Sequence, residues 1–157
     1  MLLSSFASYA ETKEERKGYT GNTECILGFL EIGLNTTQGY RFNNKWSIGA
    51  NTGVNISWCG PVMPLCAVGQ FDIVTGKSSS IVFNAKAGGI FALTNAFDVK
   101  NRAGGNFAFG VGFRYKRVMY QLAYNLVLMN YYQHDTQELI DGYGTLQLRI
   151  AYTFGAR

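Results

Sequence analysis

The sequence predicts an all-β fold: an eight-stranded, antiparallel, up-and-down transmembrane β-barrel. Three observations predict it. The first is a two-residue alternation that keeps restarting. Trp46, Ile48, Ala50, Thr52, Val54, Ile56 and Trp58 share one face, while Ser47, Gly49, Asn51, Gly53, Asn55 and Ser57 share the other. Successive side chains on a strand point to opposite faces, so one face is apolar and the other small and polar. A wall between lipid and a crowded lumen needs that division. The second is length. The alternating segments run about 10 to 15 residues, where a tilted transmembrane strand needs about 9 to 11 and soluble strands usually have about five or six. The third is composition. Aromatic residues make up 15% of the 157 residues, charged residues another 15%, and there are 19 Gly. Soluble domains carry about 25% charge. No run of 18 apolar residues occurs, so strands rather than helices must do any crossing.

The segments follow in order. Tyr19 to Gly28 is weakly alternating, with Thr23, Cys25, Leu27 and Phe29 opposed to Asn22, Glu24 and Gly28. Leu30 to Phe42 is clear: Ile32, Leu34, Tyr40 and Phe42 oppose Glu31, Asn35 and Arg41. Asn43-Asn44-Lys45 turns the chain into Trp46 to Trp58. Cys59-Gly60-Pro61 breaks that segment, and Val62 to Val74 follows, with Pro64 near its start where a missing donor is tolerable. Thr75-Gly76-Lys77 is the next turn. Ser79 to Leu93 puts Ile81, Phe83, Ala85, Ala87 and Phe91 out, and Asn84, Lys86 and Gly88 in. A polar loop from Thr94 to Gly105 precedes Asn106 to Tyr115, where Phe107, Phe109, Val111, Phe113 and Tyr115 oppose Ala108, Gly110, Gly112 and Arg114. Gly104-Gly105 reads as a turn. Lys116-Arg117 leads into Val118 to Tyr132. The polar loop Gln133 to Glu138 precedes Ile140 to Phe154.

With the apolar face outside, eight charges point inward: Glu24, Glu31, Asp72 and Asp141 against Arg41, Lys86, Arg114 and Arg149. An eight-stranded barrel has an interior just wide enough for side chains, and unpaired charge there is costly. The balance predicts a filled polar lumen held by ion pairs and by Gln70, Gln121, Asn125 and Gln147. Aromatics gather near segment ends: Tyr40, Phe42, Trp46, Trp58, Tyr115, Tyr120, Tyr132, Tyr152 and Phe154. Such rings favour the headgroup level, so they are expected to form two girdles.

Signals for chemistry are sparse. The net charge of +4 is spread along the chain, with no basic patch interleaved with stacking aromatics, which argues against nucleic-acid binding. Cys25, Cys59 and Cys66 have no metal-ligand spacing, so no metal and no cofactor is expected. Cys59 and Cys66 flank a hairpin tip and could pair in an oxidising compartment; the alternative is three small apolar residues. His134 is the single histidine, beside Asp135. A lipid-modifying barrel enzyme would need it as base to a serine such as Ser57, whereas a solvated loop histidine needs no partner. Residues 1–16 read as an N-terminal lead. Ser8 and Ala10 before the charged Glu11 to Lys17 suit the back end of a truncated secretory signal.

Residues 17–157 then read as one barrel domain. Thr36-Thr37-Gln38-Gly39-Tyr40-Arg41-Phe42-Asn43, followed by Trp46-Ser47-Ile48-Gly49-Ala50-Asn51-Thr52-Gly53-Val54, resembles the second-to-third strand hairpin of small outer-membrane β-barrel domain proteins of Gram-negative bacteria. Lys17-Gly18-Tyr19 and Leu148-Arg149-Ile150-Ala151-Tyr152-Thr153-Phe154 fit the same pattern. The resemblance implies an eight-stranded barrel in the bacterial outer membrane, embedded in outer-membrane lipid and inserted by the barrel assembly machinery. It implies no catalytic residues. One departure is Gly155-Ala156-Arg157 after the terminal aromatic. The expected function is structural or surface-interacting, without catalysis and with its surface ligand unspecified. The alternatives are a lipid-modifying barrel enzyme using His134, and a soluble lipocalin-like barrel that binds an apolar ligand inside.

Overall fold

Alternation becomes a barrel because each segment has two faces that need opposite surroundings. In a computed structural model, the residues described are 17–58, 60–76, 78–93, 103–129, 131–132, 139–140 and 142–155. The strands are β1 (Gly18–Gly28), β2 (Glu31–Arg41), β3 (Trp46–Ser57), β4 (Gly60–Val74), β5 (Ser79–Ala92), β6 (Ala103–Tyr115), β7 (Val118–Leu128), β8 (Tyr131–Tyr132), β9 (Leu139–Ile140) and β10 (Tyr143–Gly155). Eight of them, β1 to β7 and β10, close into one antiparallel barrel with up-and-down connectivity. Closure comes from β1, which pairs with β2 on one side and with β10 on the other, from Thr20↔Gly155 to Gly28↔Gln147. Within the barrel every described strand is paired on both sides, as a lipid environment demands.

The polarity is inside out. Exposed residues include Leu34, Ile48, Val54, Leu65, Phe109, Val111, Leu122 and Leu148, while Glu24, Glu31, Asn51, Asp72, Gln121 and Arg149 are buried. A soluble barrel would reverse this, so the lipocalin-like alternative fails on its own requirement of an apolar cavity. The exterior belongs in hydrocarbon. The lumen also holds apolar side chains that alternation alone left unmarked. Val62, Ile90, Val127 and Met129 form one cluster, with Tyr143 packed on it. Val82, Met119 and Ala151 form a second. The first lies toward the end that carries the β5–β6 and β7–β10 connections (the loop end). The second lies toward the β2–β3, β4–β5 and β6–β7 turns and the two chain ends of the barrel (the turn end).

Four boundaries differ from the sequence expectation. Gly104 and Gly105 are not a turn: they extend β6 and pair with Ile90 and Gly89 of β5. Glycine hides alternation but leaves the backbone free to continue a ladder. Pro61 does not break the chain, because β4 begins at Gly60 and pairs Pro61 with Ile56. The carbonyl of Pro61 accepts from Leu93 N at 2.9 Å, so its one polar backbone group is used. The seventh barrel strand stops at Leu128, and Tyr131–Tyr132 instead pairs with Leu139–Ile140 in a small separate ribbon. The last strand begins at Tyr143 rather than Ile140, after Gly142 at φ 147°. That backbone is one that L side chains rarely adopt, and it redirects the chain.

Candidate functional site

Every described residue in the expected lumen network faces inward, and the structure sorts the network into groups. Asp72 lies near the turn end. Its Oδ2 accepts from Arg41 Nη1 at 2.7 Å and from Arg114 Nη2 at 2.5 Å, and its Oδ1 accepts from Gln70 Nε2 at 2.9 Å. One carboxylate therefore ties β2, β4 and β6 together. Midway along the lumen, Glu24 accepts from Lys86 Nζ and from Asn51 Nδ2, the latter at 3.1 Å. Asn51 Nδ2 also reaches Thr37 Oγ1 at 2.9 Å. Glu31 accepts from Asn125 at 3.1 Å and from Asn55 at 3.4 Å.

Arg149 is held differently. Its Nε and Nη2 both donate to Gln147 Oε1, at 2.7 and 2.5 Å. Its charge interacts with both Glu24 and Glu31. Asp141 lies outside the described residues, so among these the lumen carries Arg41, Lys86, Arg114 and Arg149 against Glu24, Glu31 and Asp72. Buried charges in a tight interior need partners, and the salt bridges of Asp72 with Arg41 and Arg114 and of Glu24 with Lys86 join strands that are not neighbours. Chemically the arrangement braces the wall. The apolar clusters and the ion pairs pack much of the interior, and a cavity lined by Thr20, Asn22, Thr37, Ser47, Gln70 and Thr153 lies near the turn end.

The aromatic residues are placed less evenly than two girdles would require. Tyr40, Trp46, Tyr115, Tyr120, Tyr152 and Phe154 sit on strand segments near the turn end, Phe42 directly follows β2 there, and Trp46 packs on Phe71 with centroids 4.6 Å apart. Of the named residues only Trp58 is described at the loop end, where it meets Tyr143 at 6.1 Å. The Tyr132 side chain lies outside the described residues. The turn-end belt is thus well built. At the loop end, Phe29, Phe91 and Leu128 supply exposed apolar surface; the sequence reading placed them on the outward face but not in the girdles.

The remaining candidates do not converge. Cys66 is a free, buried thiol facing the lumen, 3.6 Å from Asn106 Nδ2. It pairs in register with Asn51, six residues along β4 from Gly60, and a strand of that length spans roughly 20 Å. That distance overturns a hairpin-tip disulfide with Cys59, which itself lies outside the described residues. Ser57 donates its hydroxyl to Gly60 O at 3.1 Å and is buried. His134 lies outside the described residues, so no nucleophile–base pair is assembled among them.

No protein-family model matches the chain, and no curated protein matches it in sequence. Solved structures do match in fold. The crystal structure of the outer membrane enzyme PagL is similar with a TM-score of 0.56 and 9% identity, over 83% of this chain and 98% of that one. The crystal structure of Neisserial surface protein A, NspA, gives a TM-score of 0.50 and 11% identity, over 87% of this chain and 94% of that one. The fold is therefore that of small outer-membrane β-barrels.

Proposed function

We propose that this chain is a barrel of the Gram-negative outer membrane with a structural or surface-interaction role, and that it performs no catalysis. The observation that carries the reading is the inverted polarity: large apolar side chains ring the outside while charged and amide side chains are buried. Such a surface is stable only in lipid. The filled interior directs any interaction to the connections at the loop end, which include the longest in the chain. In the same reading β10, which closes the barrel and ends on Thr153-Phe154-Gly155, is the strand that the assembly machinery recognises.

Fractionation tests the location. The protein should sediment with outer-membrane vesicles, resist carbonate extraction, and migrate faster in gels before heating than after. Recovery in the aqueous phase as a folded species overturns the reading. Planar bilayers test the filled lumen, and a steady open-channel current would contradict it. The similarity to an enzyme at 9% identity establishes the fold alone. Replacement of His134 with Ala should leave the lipid profile of the membrane unchanged; a changed profile would favour the lipid-modifying alternative.

A further inference from the structure

Among the described residues, the exposed charges on the rim at the turn end are all positive. Lys17, Lys45, Lys116 and Arg117 are exposed there, one at the start of β1 and the others in the β2–β3 and β6–β7 turns. Among the described residues no carboxylate is exposed, because Glu24, Glu31 and Asp72 are all inside the barrel. Two of the cations are fixed against the aromatic belt. Lys116 Nζ stands 5.4 Å from the Tyr115 ring centroid. Arg117 lies 5.9 Å from the Tyr152 centroid and donates from Nη1 to the Tyr152 hydroxyl at 2.9 Å. Tyrosine rings sit at headgroup depth, and long cationic side chains near strand ends reach to the same level. These cations are therefore held where lipid phosphates lie.

We propose that this rim is a binding collar for anionic phospholipid headgroups in the leaflet at the turn end. The inference rests on the membrane reading above and adds which leaflet and which headgroup charge the barrel selects. Charge complementarity points to this end rather than the other. In sequence, the two long connections at the loop end contain Asp98, Asp135, Glu138 and Asp141 against Lys100 and Arg102, an acidic balance that phosphates would avoid. The lead before β1 holds Glu11, Glu14 and Glu15 beside Lys13 and Arg16, so the test must use the full chain.

The two tryptophans supply the probe, since Trp46 starts β3 at the turn end and Trp58 follows β3 at the loop end. In a Trp58→Phe protein, Trp46 fluorescence is quenched by brominated acyl chains that approach it. The protein is reconstituted into phosphatidylcholine vesicles containing a fixed fraction of either brominated phosphatidylglycerol or brominated phosphatidylcholine. Each cation near an anionic headgroup favours it by a few-fold, so Trp46 should see phosphatidylglycerol at about threefold or more above its bulk fraction. Roughly 0.5 M salt should remove the preference, because exposed charges are screened at that strength. The triple variant Lys45→Gln/Lys116→Gln/Arg117→Gln should remove it too, with heat-modifiable gel mobility confirming a folded barrel. Equal quenching by the two lipids, or a preference that survives both salt and the triple variant, overturns the collar and leaves the membrane reading intact. Absence of quenching by either lipid overturns the membrane reading, and the collar with it.

Discussion

Lys86 of β5 reaches across the lumen to donate to Glu24 of β1, between strands that stand opposite each other in the eight-stranded ring. Neighbouring strands are already joined by their backbone ladder. A diametric pair does what the ladder does not: it fixes the cross-section. Removing one partner leaves the other charged and buried. Lys86→Met or Glu24→Leu should each lower stability by about 3–5 kcal/mol, while Glu24→Leu/Lys86→Met should recover most of the loss. Urea titration of refolding into liposomes measures the cycle. Additive losses in the double variant would show that the two side chains act independently.

Asp72 should matter more than either of its arginines taken alone. It is buried and compensates Arg41 and Arg114 at once. Asp72→Asn removes the carboxylate from two guanidiniums at once, the Arg41 one buried, whereas Arg114→Gln removes the more exposed partner and leaves the Arg41 pair intact. The expected order of urea midpoints is Asp72→Asn well below Arg114→Gln, with Arg114→Gln slightly below the unsubstituted protein. Equal midpoints for the two variants would refute a shared carboxylate.

The wall itself sets a second hierarchy. A Cβ at Gly39 would lie 2.1 Å from Ile48 O and 2.7 Å from Gly49 Cα, so β2 and β3 approach too closely there for any side chain. A Cβ at Gly69 would meet nothing within 4 Å. Gly39→Ala should cost about 1–3 kcal/mol or prevent barrel closure, because the clash is with backbone rather than a flexible tip. Gly69→Ala should be neutral within about 0.5 kcal/mol. Gel-shift folding yields and urea midpoints read both.

Cys25 and Cys66 should report opposite sides of the wall. Cys25 is exposed on β1 and Cys66 is buried in the lumen. A nitroxide placed on Cys25 before folding, in a Cys59→Ser/Cys66→Ala protein, should be relaxed by oxygen dissolved in lipid and barely by a water-soluble nickel complex. The opposite pattern would mean that β1 is turned over and that its register with β2 and β10 is wrong by one residue.

Much of the architecture was legible because a period of two says which face each residue takes. The segment from Trp46 to Trp58 maps onto β3 with its alternation intact: Ser47, Asn51, Asn55 and Ser57 are buried, while Ile48, Val54 and Ile56 are exposed. The errors cluster where alternation carries no contrast. Gly104-Gly105 reads as a turn because glycine has no face, and the partner strand β5 alone keeps it extended. Val118 to Tyr132 reads as one segment because Met129, Tyr131 and Tyr132 extend its apolar and aromatic run past Leu128, although the ladder with β10 ends at Val127. Val82, Ile90 and Met119 are apolar residues on the inward face that pack in clusters toward the two ends of the lumen.

The sequence by itself determined the number of barrel strands, their antiparallel order and the face that the alternating residues take, since these follow from local periodicity and short turns. Partnership inside the lumen was decided only by the tertiary structure. Glu24 and Lys86 are 62 positions apart, and Glu31 and Asn125 are 94 apart. Which inward residues meet depends on ring order, register and tilt, and no window of sequence contains those. The same holds for the rim. Among the described residues, exposed charge that is scattered along the chain gathers as positive at the turn end, because closing the barrel brings Lys17, Lys45, Lys116 and Arg117 to one circle while every described carboxylate is drawn inside.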